Sequence, residues 1–172
     1  MSDETAAASQ AAAGAAAAGS RAPWFDGTLD EAGLQALGRE LAAQLTPPAF
    51  VALRGDLGAG KSVLARAIAR ALGVTGTMPS PTYNLLLRYP AAEGREVIHL
   101  DLYRLSGPDE IFELGWQDLG ADHEVVLCEW PERAEGELPP SRVEVQLAAL
   151  AGEPTLRQVQ VQVLGEQPEV RR

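Results

Sequence analysis

Apolar residues recur along this chain with two periods, and the switches between them mark its elements. Behind Thr28-Leu-Asp-Glu31, which has the spacing of a capping box, Leu34, Leu37, Leu41 and Leu45 repeat at helical intervals until Pro47-Pro48 stops them. A helix is therefore predicted over about 29–45. Ala49-Phe-Val-Ala-Leu53 is a continuous apolar run of strand length. After a glycine-rich turn, Leu64, Ile68 and Leu72 line one face of a second helix over 62–72, closed by Gly73. A loop to Thr82 precedes two strands, over 83–89 and 96–102, joined as a hairpin by the turn 90–94. A short helix is expected over 108–114, a buried strand over 125–128 leading to Glu129, and two late strands over 142–147 and 156–164 with one wet face. The pattern predicts an α/β fold with a mixed sheet and few helices.

The 172 residues suit one domain of ordinary size. Residues 5–20 are almost entirely Ala, Gly and Ser, which bury too little surface to offset the entropy of ordering. Met1 to Ala22 is expected to be a disordered Ala/Gly-rich extension, 23–165 a single folded domain, and 166–172 a tail. The lone cysteine, Cys128, excludes an internal disulfide, and the acidic start Met-Ser-Asp-Glu is unlike a secretory signal. No run approaches the roughly 20 apolar residues of a membrane span. A cytoplasmic protein without a membrane role is the expectation.

Charge narrows the function classes. The formal charge is −10, and between Pro108 and Glu137 ten acids face only Arg133. Such a chain lacks a basic footprint for a phosphate backbone, so direct DNA binding is not expected and any nucleic acid would be held by a partner. The acidic stretch reads either as a solvated surface or as a face for a basic partner. In the second case, charge reversal at Glu135 and Glu137 is expected to weaken docking and spare nucleotide binding.

Of 14 basic residues only Lys61 is a lysine, and it stands in Gly55-Asp-Leu-Gly-Ala-Gly60-Lys61-Ser62. This is the G-x-x-x-x-G-K-[ST] phosphate loop between a predicted strand and a predicted helix. Glycines let consecutive N–H groups turn toward phosphate oxygens, and the helix adds its positive N-terminus. A nucleotide would rest on Asp56, Leu57, Gly58, Ala59, Gly60, Lys61, Ser62 and Val63, with Lys61 on the β- and γ-phosphates and Ser62 on Mg²⁺. No second lysine exists for a guanine-reading Asn-Lys-x-Asp segment, and no Asp-x-x-Gly follows the loop. ATP is favoured over GTP.

A phosphate loop needs a carboxylate at the end of a neighbouring strand. Glu129 suits that role, although a surface acid just past a core strand would look the same. His99, Asp101 and Tyr103 alternate with Ile98, Leu100 and Leu102, which puts the polar three on one strand face. Asp101 could orient a water for attack on the γ-phosphate, join the metal shell, or pair with Arg104. His99 reads as a hydrogen-bonding partner of that site. Ser80-Pro-Thr82-Tyr83 lies where nucleotide-sensing switch segments sit, or is a turn entering a strand. Lys61, Asp101 and Glu129 are the catalytic candidates.

In combination, the loop, Ser80-Pro-Thr-Tyr83, His99-Leu-Asp-Leu-Tyr-Arg104 and Glu129-Trp-Pro131 resemble the TsaE (YjeE) family, from about Thr28 to Arg133. The resemblance implies a P-loop NTPase-like three-layer fold. It further implies an ATPase required for the N6-threonylcarbamoyladenosine (t6A37) modification of tRNA, working with TsaB and TsaD and meeting tRNA through that complex. On the same basis Thr28 and Trp130 would lie near the nucleotide, with Arg133 beside them, and Ser62 and Glu129 would hold Mg²⁺, with Asp101 important for hydrolysis. Ser62 stands where the family more often has threonine. Two other classes stay open: a small-molecule kinase, which would need an arginine-bearing lid, and a nucleotide-binding regulatory module without turnover.

Overall fold

The computed structural model describes residues 23–81, 84–106 and 109–165. The terminal extension, the tail, Thr82, Tyr83 and Pro108 lie outside them. Seven strands form one sheet, β1 (Phe25–Leu29), β2 (Ala49–Arg54), β3 (Leu86–Pro90), β4 (Glu96–Asp101), β5 (Glu124–Glu129), β6 (Arg142–Leu150) and β7 (Glu153–Leu164). Their order is β1-β7-β6-β2-β5-β4-β3. Pairing is parallel for β2 with β5 and β6 and for β4 with β5, and antiparallel at β3 and β7, so the sheet is mixed. Helices α1 (Glu31–Gln44) and α2 (Lys61–Ala71) cover one face. The short α3 (Asp109–Glu113) and several turns cover the other. The result is the three-layer α/β arrangement.

Burial explains the central strands. β2 and β5 are buried on both faces, as parallel strands under two helical layers must be. Val51, Leu53, Val125 and Leu127 meet Leu34, Leu37, Leu41, Leu64 and Ile68, while Phe50, Ala52, Val126 and Cys128 meet Ile111 and Trp116. Period-two alternation thus feeds two cores. It also places Glu129 and His99 on the α1–α2 side, in line with Leu127 and Val97. Burial pushes the Cys128 thiol well above its ordinary value, with Glu129, Glu132 and Asp101 adding to the shift, so this cysteine is packing.

Helix ends follow local chemistry. Gly73, at φ +96°, donates to the Arg70 carbonyl at 3.0 Å, and the Val74 amide donates to Ala69 at 3.0 Å, which together form a Schellman cap on α2. At α1 the structure corrects the sequence expectation. Thr28 is not the cap but sits in β1, a strand the hydrophobic pattern did not announce, with its hydroxyl donating to Gln158 at 3.1 Å. Asp30 caps instead, its Oδ1 accepting from the Gly33 amide at 2.8 Å, and α1 starts at Glu31. β3 also begins later than expected, at Leu86, after Leu85 at φ +58°.

At the edge of the sheet where β4 and β5 begin, Glu124 is buried and accepts from Arg88 (2.8 Å) and from the amides of Gly120 (2.7 Å) and Ala121 (3.0 Å). Burial raises its carboxyl, but Arg88 and the two amides outweigh burial and hold it below the ordinary 4.5. A depressed carboxylate contributes stability that is present above its unfolded value and lost as pH falls through its folded one. Glu124→Gln should therefore cost about 1–2 kcal/mol at neutral pH and shrink the acid-induced loss, as read by urea midpoints above and below that value.

Candidate nucleotide site

The phosphate loop connects the end of β2 to the start of α2 at the edge where the parallel strands terminate, the usual ligand edge of an open α/β sheet. Gly55 is required there. Its φ is +139°, and a Cβ would meet the Leu147 carbonyl oxygen at 2.2 Å. Asp56, Leu57 and Gly58 are exposed at the loop tip, Ala59 is buried, and Gly60 leads into α2. Val63 follows, half-buried, in the first turn.

Lys61 is only 4% exposed, yet it carries a charge. Its Nζ donates to the carbonyls of Gly55 (2.6 Å) and Asp56 (2.8 Å) and stands 4.1 Å from the Trp130 ring centroid. Burial pulls the ammonium below its ordinary value, while Glu129, Glu132, Asp101 and Asp56 push it back up. It is an amine set against backbone carbonyls and an aromatic face, within the field of four carboxylates.

Glu129, at the end of β5, is the hub. Ser62 Oγ donates to its Oε2 at 2.9 Å, and His99 Nε2 meets its Oε1 at 2.8 Å. Glu129 pairs in register with Asp101 of β4 on one side and Leu53 of β2 on the other. Asp101 is buried and accepts from the Tyr103 amide at 3.0 Å. β4 ends at Asp101, so Tyr103 is not the third member of the expected strand face. Its ring instead packs at a tilt against Trp130, with centroids 4.9 Å apart. The hydroxyl–carboxylate pair of Ser62 and Glu129 offers the hard oxygen ligands that suit Mg²⁺, so the residues present fit that ion. Nδ1 of His99 is buried without a partner, which leaves the imidazole's one described bond on Glu129.

The loop, Lys61, Ser62, His99, Asp101, Glu129 and Trp130 thus converge. Thr28 has its described hydrogen bond on Gln158 instead, though its end of β1 lies along the same edge: Arg157, the register partner of Leu29, donates to Gly58 O at 3.3 Å. Ser80 is exposed in the segment after α2, Arg133 is exposed with its amide donating to Trp130 O at 3.1 Å, and Thr82 is outside the described residues. Sequence reasoning missed Arg157 and Arg54. Arg54 Nη2 meets Glu135 (2.8 Å) and Glu144 (3.1 Å) immediately before the loop. Glu135 is therefore tied to the loop's own strand, and its reversal would break that ion pair.

Comparison with known proteins agrees with this geometry. The family model described as "Threonylcarbamoyl adenosine biosynthesis protein TsaE" matches residues 28–159. The chain is 42% identical over 115 residues to the tRNA threonylcarbamoyladenosine biosynthesis protein TsaE of Rickettsia conorii, covering 66% of this chain and 65% of that one. Its likeness to the protein of that name from Haemophilus influenzae is 40% over 98 residues, covering 57% and 61%. For that of Streptomyces coelicolor it is 36% over 137 residues, covering 77% and 92%. The chain thus spans just under two thirds of the first two relatives. The crystal structure of Bacillus subtilis YdiB superposes with a TM-score of 0.60 at 26% identity, over 82% of this chain and 88% of that one. With the phosphate loop, Asp101 and Glu129 at one sheet edge and the family model matching residues 28–159, this protein belongs to the TsaE family.

Proposed function

We propose that the chain is a Mg²⁺-dependent ATPase serving the t6A modification of tRNA in the cytoplasm, in association with TsaB and TsaD. One observation carries the reading: Lys61 and Ser62 of the phosphate loop meet Glu129, 67 positions beyond Ser62 at the end of β5. In this reading the loop amides and the N-terminus of α2 hold the phosphates, and Lys61 neutralises their charge. Ser62 and Glu129 would hold the ion, which when bound supplies charge neutralisation and a template for the γ-phosphate. Glu129, fixed by His99, presents one oxygen toward Ser62. Asp101, next to Glu129 across the β4–β5 pair, accepts a proton from, or orients, the attacking water.

The structure weighs against the kinase alternative. Arg88 and Arg95 are the only arginines between α2 and Asp101. Arg88 is engaged by Glu96 and Glu124 at the opposite sheet edge, and Arg95 is paired with Glu93. Neither serves as a lid over phosphates. For the partner surface, the exposed Glu113, Asp118, Asp122 and Glu137 remain acids that could meet a basic face.

Phosphate release from ATP, by the protein alone and with TsaB, TsaD and tRNA, tests the reading. Asp101→Asn should lower turnover by about 100-fold with little change in ATP affinity. Turnover that stays negligible with every partner present would leave a binding module without catalysis, and phosphoryl transfer to a metabolite would favour the kinase.

A further inference from the structure

Arg54 links the phosphate loop to a turn that sequence places far away. It is the last residue of β2, and the next carbonyl, Gly55 O, accepts from Lys61 Nζ. Its Nη2 bonds both oxygens of Glu135 (2.8 and 3.1 Å) and Oε1 of Glu144 (3.1 Å), and Nη1 lies 3.9 Å from Glu132. Glu144 is itself fixed on β6 by Arg142 at 2.7 Å. One guanidinium thus ties β2 and β6 to the turn formed by residues 131–137.

That turn begins at Trp130, the residue whose ring faces Lys61 Nζ. Trp130 has φ +57°, a left-handed conformation costly for a bulky residue that persists only where surroundings hold it. Inside the turn, Pro131 and Ala134 are buried, while Glu132 and Glu135 are exposed and both lie within 4 Å of the Arg54 guanidinium. Arg54 supplies the neutralising charge, and its planar fork reaches several carboxylates at once.

We propose that Arg54 is a positioning residue that clamps the 131–137 turn against the end of β2 and so holds Trp130 beside the phosphate loop. The consequence for nucleotide affinity rests on the proposed ATPase reading; the clamp itself does not. The turn also belongs to the acidic stretch, so a basic partner surface that competes for Glu132 and Glu135 would act on the nucleotide site through Arg54.

The test combines amide hydrogen exchange with ATP titration on Arg54→Ala, Arg54→Lys and Glu135→Gln. Arg54→Ala should speed exchange over residues 130–137 by about 10-fold relative to α1 and β7, as expected for local release. It should also raise the ATP dissociation constant about 5-fold while kcat at saturating ATP changes less. Arg54→Lys should fall between, since lysine keeps the charge without the fork. Arg54→Ala with Glu135→Gln should be no worse than Arg54→Ala alone, because the two act through one contact. Unchanged exchange across 130–137 in a folded Arg54→Ala protein, or additive effects of the pair, would overturn the clamp. If Arg54→Ala does not fold, Glu135→Gln carries the same test at smaller amplitude. A parent protein that fails to bind ATP would sink the nucleotide reading, while the exchange result would still decide the clamp.

Discussion

Lys61→Ala should abolish measurable ATP binding, a loss of about 100-fold or more in affinity, without unfolding the protein. The reasoning starts from the charge balance. This chain carries −10 overall, and Glu129, Glu132, Asp101 and Asp56 all act on the Lys61 ammonium. Without that ammonium the loop would have to receive a polyphosphate amid four carboxylates, with only amide dipoles to oppose them. The cost to folding should be small, because the lost partners of Nζ are the carbonyls of Gly55 and Asp56 beside an exposed loop tip, where water can replace it. Lys61→Arg should not restore binding, since the guanidinium is bulkier and planar where the loop encloses a compact head. Calorimetric titration with ATP checks both variants, and retained binding in Lys61→Ala would move the nucleotide elsewhere.

Glu129→Gln should have the second largest effect, cutting Mg²⁺-dependent turnover by about 100-fold or more, roughly 3 kcal/mol of barrier. Glutamine keeps the shape and can still meet Ser62 and His99, so the strand end should stay folded. What it removes is the negative charge that a divalent ion needs from the Ser62–Glu129 pair. The expected signature is selective: ATP binds with similar affinity in the absence of Mg²⁺, while the gain in affinity on adding Mg²⁺ is lost. Titrations with and without the ion read this directly, and a full Mg²⁺ response in Glu129→Gln would remove Glu129 from the metal's ligands.

Those two residues were also the most legible in the sequence, for a physical reason. A phosphate loop imposes glycines at fixed spacing because its backbone must turn inward, so the pattern around Lys61 is set by local geometry alone. Glu129 stands out because four buried apolar residues lead to it and a Trp-Pro pair ends the strand. Legibility faded where position depends on chain far away. β1 has only five residues, two of them exposed and none fully buried, and owes its existence to pairing with β7 more than a hundred residues later. Its Thr28-x-x-Glu31 spacing imitated a cap that Asp30 provides. Arg54 looks like any surface arginine until the fold brings Glu135 and Glu144 to it, 81 and 90 positions away. Tyr103, expected on a strand face, packs at a tilt against Trp130 because β4 ends two residues earlier.

The presence of a single lysine allows one measurement to test the central claim. An ATP derivative with an acyl phosphate at its γ-position transfers the acyl group to an amine lying against the terminal phosphate. In this chain only Lys61 and the N-terminal amine can accept it. Lys61 is too enclosed, at 4% exposure, to be an easy target for a reagent that does not occupy the site, and burial holds its ammonium below the ordinary value, which eases loss of the proton that acylation requires. Peptide mass spectrometry should find the acyl group on Lys61, suppressed by excess ATP. Labelling confined to the N-terminus, or labelling of Lys61 that ATP does not suppress, would contradict the assignment of this loop as the ATP site.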